Sequence, residues 1–86
     1  PKARTILIVG SGMNRIDASG EEKIRELVHI LRAAGVALAF SGLKKQIRDA
    51  FDAGGLSELL GPEKIFSSKE HALRVLLQAE TKTGAA

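Results

Sequence analysis

The chain has 86 residues, a formal net charge of +3 and 44% hydrophobic residues, and its only aromatics are three Phe. That makes one small domain with an aliphatic core. The absence of cysteine excludes a disulfide framework and a thiolate metal site. No apolar run approaches the ~18 to 20 residues of a membrane span, and no signal-peptide pattern opens the chain.

The elements follow in order. Arg4 to Val9, Arg-Thr-Ile-Leu-Ile-Val, is a β-branched run ending at Gly10 and Gly12, predicted to be a strand buried on both faces. Ser11 to Arg15 is a loop. A first helix is predicted from about Gly20 to Ala34. Its inward face is Ile24, Leu27, Val28 and Leu31, with Ile30 and Ala34 flanking. Charged residues, Arg25 and Arg32 among them, take the other side, and Gly35 is the expected C′ residue. Val36 to Phe40 is a second buried strand, so strand, helix and strand make a parallel crossover unit.

Ser41-Gly42 turns the chain into a second helix, about Leu43 to Ala53, with Leu43, Ile47, Ala50 and Phe51 inward. Gly54-Gly55 stops it. Leu56 to Leu60 is one short helical turn ended by Gly61-Pro62. Lys64-Ile65-Phe66 is a short strand. Ser67 is the expected cap of a last helix, with Glu70 three residues on. That helix, about Lys69 to Gln78, is expected to bury Ala72, Leu73, Leu76 and Leu77. Residues 79–86 are expected to be a flexible tail.

Asp17-Ala18-Ser19-Gly20 is the most specific stretch. Ser19 and Glu22 have capping-box spacing, so Ser19 is predicted to cap the first helix. A phosphate is best tolerated at such a helix start. Gly20 leaves room there for another surface to approach.

Other motifs are weaker. Gly10-Ser11-Gly12 follows a strand, but the third glycine of a dinucleotide fingerprint is replaced by Arg15 and the helix starts late. His29 and His71 have no partners at metal-ligand or triad spacing. Lys44, Lys45 and Arg48 form a small basic patch, read as a solvated helix face, and no nucleic-acid partner is expected. No nucleophile and base pair stands out, so the chain is expected not to be an enzyme, and no metal is expected.

Taken together, Ile16-Asp17-Ala18-Ser19-Gly20 opening a helix, Ala39-Phe40-Ser41-Gly42-Leu43 ending a strand, Gly54-Gly55-Leu56, Ile65-Phe66 and a final helix containing Ala72 resemble the STAS domain, named for sulfate transporters and anti-sigma factor antagonists. The resemblance covers about residues 4 to 78. It implies an α/β, STAS-like fold with a mostly parallel sheet and flanking helices. It also implies a missing N-terminal hairpin, so the chain, which starts at Pro1, is expected to be one truncated domain from a longer protein.

In anti-sigma antagonists the serine before the glycine is phosphorylated by a partner kinase that is itself the anti-sigma factor. The matching residue is Ser19. In SulP-type anion transporters the domain follows the membrane helices on the cytoplasmic side. Asp-Ala-Ser-Gly, the Ser41 to Gln46 stretch and Ile65-Phe66 resemble this second branch more closely. The resemblance therefore implies a cytoplasmic regulatory module, partnered by the transporter's membrane domain or by an anti-sigma kinase and not itself inserted in the membrane. Nucleotide binding is implied by resemblance alone, and no cofactor is expected from the residues. The expected interaction surface is Met13, Asn14, Asp17, Ser19, Gly20, Ser41, Gly42 and Leu43, on loops that follow strand C-termini. Without the hairpin, the first strand leaves an edge at which the chain is expected to self-associate or lose stability.

Overall fold

The computed structural model describes residues 4–85, with side-chain surroundings for residues 4–77. Three strands, β1 (Arg4–Val9), β2 (Val36–Ser41) and β3 (Ile65–Phe66), alternate with helices α1 (Ala18–Ala33), α2 (Lys45–Ala53), α3 (Leu56–Leu60) and α4 (Lys69–Ala85). Short 3-10 turns sit at Gly10–Gly12 and Pro62–Lys64. The sheet order is β1-β2-β3 and both pairings are parallel. β1 lies against β2 from Arg4↔Val36 to Val9↔Ser41. The result is an α/β fold with a three-stranded parallel sheet, as the resemblance implies.

Because the strands follow one another across the sheet, three helices gather on one face. Val28 of α1, Ile47 and Phe51 of α2, and Leu56 and Leu60 of α3 close over Leu38, Phe40 and Ile65. Phe40 meets Phe51 edge-on, with ring centroids 5.1 Å apart, the geometry that aromatic quadrupoles favour. Among the described residues, the opposite face is covered by α4, through Ala72 and Leu76 against Leu7, Ala39 and Phe66. Two arginines expected on the solvated side of α1 instead hold the layers together. Arg25 donates to the Gly54 carbonyl just past α2, and Arg32 donates to the Leu59 carbonyl in α3. Each satisfies a carbonyl at a helix end.

Four expectations need correction. β1 is not buried on both faces: Ile6 is 45% and Val9 48% exposed. It is an edge strand, and the helices cover only part of its length. Leu27 and Ile30 of α1 are exposed, since the helix meets the sheet along the narrower stripe Ile24, Val28 and Leu31. Leu73 and Leu77 of α4 are also exposed, because α4 has only the sheet beneath it. The cap of α4 is Ser68, whose Oγ accepts from the His71 N–H at 3.1 Å. Ser67 and Ser68 together form the bend between β3 and α4.

The backbone of α4 continues past Gln78 to Ala85. The side chains of the expected tail, residues 79–86, lie outside the described residues. No helix among the described residues is long and apolar enough to cross a membrane.

Candidate interaction surface

Both parallel strands of the β1–β2 pair end at the same edge of the sheet. That brings the Gly10–Gly12 turn, the Met13 to Asp17 loop, the start of α1 and the start of α2 together. The Gly10–Gly12 turn closes through the Met13 N–H on the Gly10 carbonyl, 3.0 Å. Gly10 is buried, and the place of its missing Cβ is taken by Leu43 Cδ2, 2.5 Å away. Gly10 serves packing: the side that a phosphate cradle would leave open is filled by a leucine methyl group. Gly42, at φ +69, turns the chain out of β2 beside Ser11, in the left-handed region that favours glycine. Its N–H is held by the Phe66 carbonyl at 3.1 Å.

Two bonds tie the loop to α2. Lys44 Nζ donates to Asn14 Oδ1, and Gln46 Nε2 donates to the Asn14 carbonyl at 3.0 Å. Lys44 is therefore a strut rather than a free basic residue. Lys45 bonds Asp49 at 2.8 Å. That hydrogen bond, and then the aspartate charge, raise its ammonium pKa above the ordinary lysine value. Lys44 and Gln46 were missed as site residues. Their signal was present in the Ser41 to Gln46 stretch, but the contact spans the sheet edge and has no local periodicity.

The start of α1 differs from the expectation. The cap is Asp17, whose Oδ1 accepts the Gly20 N–H at 2.8 Å while its carbonyl accepts the Glu21 N–H at 2.9 Å. A carboxylate is a stronger acceptor than a hydroxyl and favours the positive helix end. Ser19 lies inside the first turn, exposed, with no side-chain hydrogen bond found for it among the described residues. Glu22 does not close a capping box and turns to Arg25, 4.0 Å away. Gly20 is explained from within: a Cβ there would sit 3.3 Å from Ile16 Cγ1 and 3.4 Å from Asp17 Oδ1. Glycine leaves room for Ile16 and the cap.

Replacing Asp17 with Ala is expected to cost about 1 kcal/mol, the usual value of an N-cap. Replacing Ser19 with Ala is expected to leave stability within about 0.5 kcal/mol. Paired urea titrations check this, and a larger cost for Ser19→Ala would restore the capping box.

Of the expected surface, Asn14, Asp17 and Ser19 are exposed and adjacent in the fold, and Met13, Gly20, Gly42 and Leu43 are half-buried beside them. Ser41 is corrected. It is 0% exposed, because β2 is the central strand, and it can present nothing to a partner. Beside the cap, Met13, Ile16 and Ile24 floor an open groove of about 690 Å³, with Arg15, Lys23, Asp17 and Gly20 around it. No group of three or more metal-ligating side chains is found among the described residues.

Residues 1–72 match the family model of the STAS domain. The chain belongs to the STAS-domain family. No curated protein matches it significantly, and neither does any solved structure. Within this STAS domain, the Asp17-Ala18-Ser19-Gly20 signature divides into two roles: Asp17 and Gly20 build the helix start, and Ser19 is left facing solvent.

Proposed function

We propose that this STAS domain is a non-enzymatic regulatory and interaction module of a SulP-type sulfate or anion transporter, on the cytoplasmic face of the membrane. The observation that carries the interaction reading is the bracing of Asn14 by Lys44 and Gln46. A loop held in this way meets a partner with little ordering cost. The groove beside it has an apolar floor and two cationic rim residues, Arg15 and Lys23. The choice of the transporter branch rests on the sequence resemblance of Asp17 to Gly20 and Ser41 to Gln46. The transporter's own membrane domain is then the partner.

The test is anion uptake by the full-length polypeptide that carries this domain. Arg15→Glu with Lys23→Glu is expected to lower uptake about fivefold or more, with the amount in the membrane unchanged, as expected for loss of charge complementarity. Uptake indifferent to both charges would count against the proposal.

One observation favours a second reading, an anti-sigma factor antagonist switched by phosphorylation. Ser19 is exposed and is not needed as a cap, so a kinase could reach it without disturbing the fold. A phosphate there adds ~−1.5 to −2 charge next to unpaired N–H groups of the first turn. A partner seated over this turn would meet that charge, so the switch breaks the interface. Mass spectrometry after incubation with the cognate kinase decides: phosphate is expected on Ser19 alone and absent from Ser19→Ala. Phosphate elsewhere would end this reading.

A further inference from the structure

We propose that the central strand carries a docking notch at Val36 and Leu38, on its β3 side, for the carboxy-terminal tail of a partner protein, which adds there as a short extra strand. The notch lies at the other end of the sheet from the Met13 to Asp17 loop, and its walls run from Val28 to Lys64. The Arg4 N–H bonds the Gly35 carbonyl at 3.4 Å, and the Gly42 N–H bonds the Phe66 carbonyl at 3.1 Å. Alternation along a strand then assigns the backbone groups of β2. Ala37 and Ala39 turn theirs toward β1, and Val36, Leu38 and Phe40 turn theirs to the β3 side. β3 has only two residues, and its pairing begins at Phe40↔Ile65. Before that point, no hydrogen bond is found among the described residues for the N–H and C=O groups of Val36 and Leu38.

The cavity beside these groups holds about 380 Å³, at the small end of ordinary ligand pockets. Val28, Leu38 and Leu60 give it an apolar wall. Ala37 also lines it, although alternation puts its side chain on the other face with Ala39. The cavity therefore reaches the backbone of β2. Leu38 is only 4% exposed, and unpaired backbone groups at so enclosed a residue are costly. An incoming main chain offsets that cost by pairing with them.

Length and charge choose the occupant. The free stretch from Val36 to Leu38 is short, ~7 Å at ~3.3 Å per residue. Lys64 and Ile65 stand at its far end, beside Phe40. A strand added here has to stop at Lys64, so a chain end fits and the middle of a segment does not. Arg32 and Lys64 line the cavity against one acid, Glu63. Neither cation has an ion-pair partner among the described residues. Arg32 is anchored on the Leu59 carbonyl and keeps further guanidinium donors to spare. A tail running parallel to β2 brings its carboxylate to the Lys64 end, and its apolar side chains meet the Val28, Leu38 and Leu60 wall. Strand addition gives such a peptide its affinity, and capture of the carboxylate fixes where it ends.

The test is fluorescence anisotropy on the polypeptide that carries this domain, with fluorescein-labelled hexapeptides ending in Val, Leu, Ile or Phe. At least one free-acid peptide is expected to bind with a dissociation constant below about 100 μM. Its C-terminal amide is expected to bind about tenfold or more weakly. Lys64→Glu is expected to abolish the difference between acid and amide, and the milder Lys64→Gln to narrow it. Lys45→Glu, the same change of charge at an exposed position on α2, is expected to keep it. N-methylation of successive peptide amides is expected to weaken binding at alternate positions only, because every second residue faces β2. That scan leaves the protein untouched. No binding by any of the peptides at about 1 mM, equal binding of acid and amide, or N-methyl effects without alternation would each overturn the proposal.

Discussion

Phe51→Ala is expected to cost about 3 to 5 kcal/mol, the usual range for a buried aromatic. Phe51 is 0% exposed and is α2's main anchor on the sheet, edge-on to Phe40. Native domains hold roughly 5 to 15 kcal/mol, and a small one sits toward the low end. The loss is therefore comparable to the whole stability, and the variant is expected to be substantially unfolded at 37 °C. Where a transition survives, the midpoint is expected to fall by about 4 to 8 °C per kcal/mol. Phe51→Leu, which keeps most of the buried volume, is expected to lose clearly less. On the same helix, Asp49→Ala removes only an exposed pair with Lys45 and is expected to change stability by less than about 1 kcal/mol. Thermal melts of the three variants check the order. A Phe51→Ala melt close to that of Asp49→Ala would mean that α2 is not held by this contact.

The second large effect concerns the other face. Ala72 is 0% exposed, and it packs in one cluster with Ala39 and Phe66. Ala72→Arg forces a long charged side chain into that contact, and overpacking alone costs about 1 to 3 kcal/mol. The guanidinium can escape to water only if the helix moves. The variant is expected to lift α4 from the sheet, with loss of about 3 kcal/mol or more. Hydrogen exchange is expected to show faster exchange of the α4 amides. Leu73→Arg, one residue along but 42% exposed, is expected to change little. Equal effects at the two positions would show that α4 is not seated through Ala72.

The elements were legible because their signals are local. The run Thr5 to Val9, the period of Ile24, Val28 and Leu31, and the glycines after α1 and α2 each name one element without help from the rest of the chain. The site was legible only in part. Asp17 and Ser19 stand two residues apart, and both are competent caps. In the fold it is Asp17 that closes the turn, with Ile16 beside it packed against the core. The Asn14 bonds to Lys44 and Gln46 join residues some thirty positions apart, and no local pattern announces them. Ser41 reads as a turn residue, yet it is the last residue of a central strand and fully enclosed.

By itself, the sequence determined the order and type of the elements, the parallel α/β class and the STAS-domain family. Strand and helix periods, glycine stops and the Asp-Ala-Ser-Gly signature are short-range properties of the chain. The tertiary structure alone decided that Asp17 caps α1, that Ser19 is left free, that Lys44 braces a loop, and that β1 lies at the sheet edge with Ile6 and Val9 exposed. Each of these depends on which surfaces meet after the chain has crossed over. Burial belongs to the assembled layers, and one-dimensional periodicity cannot say which side of an element will find a partner.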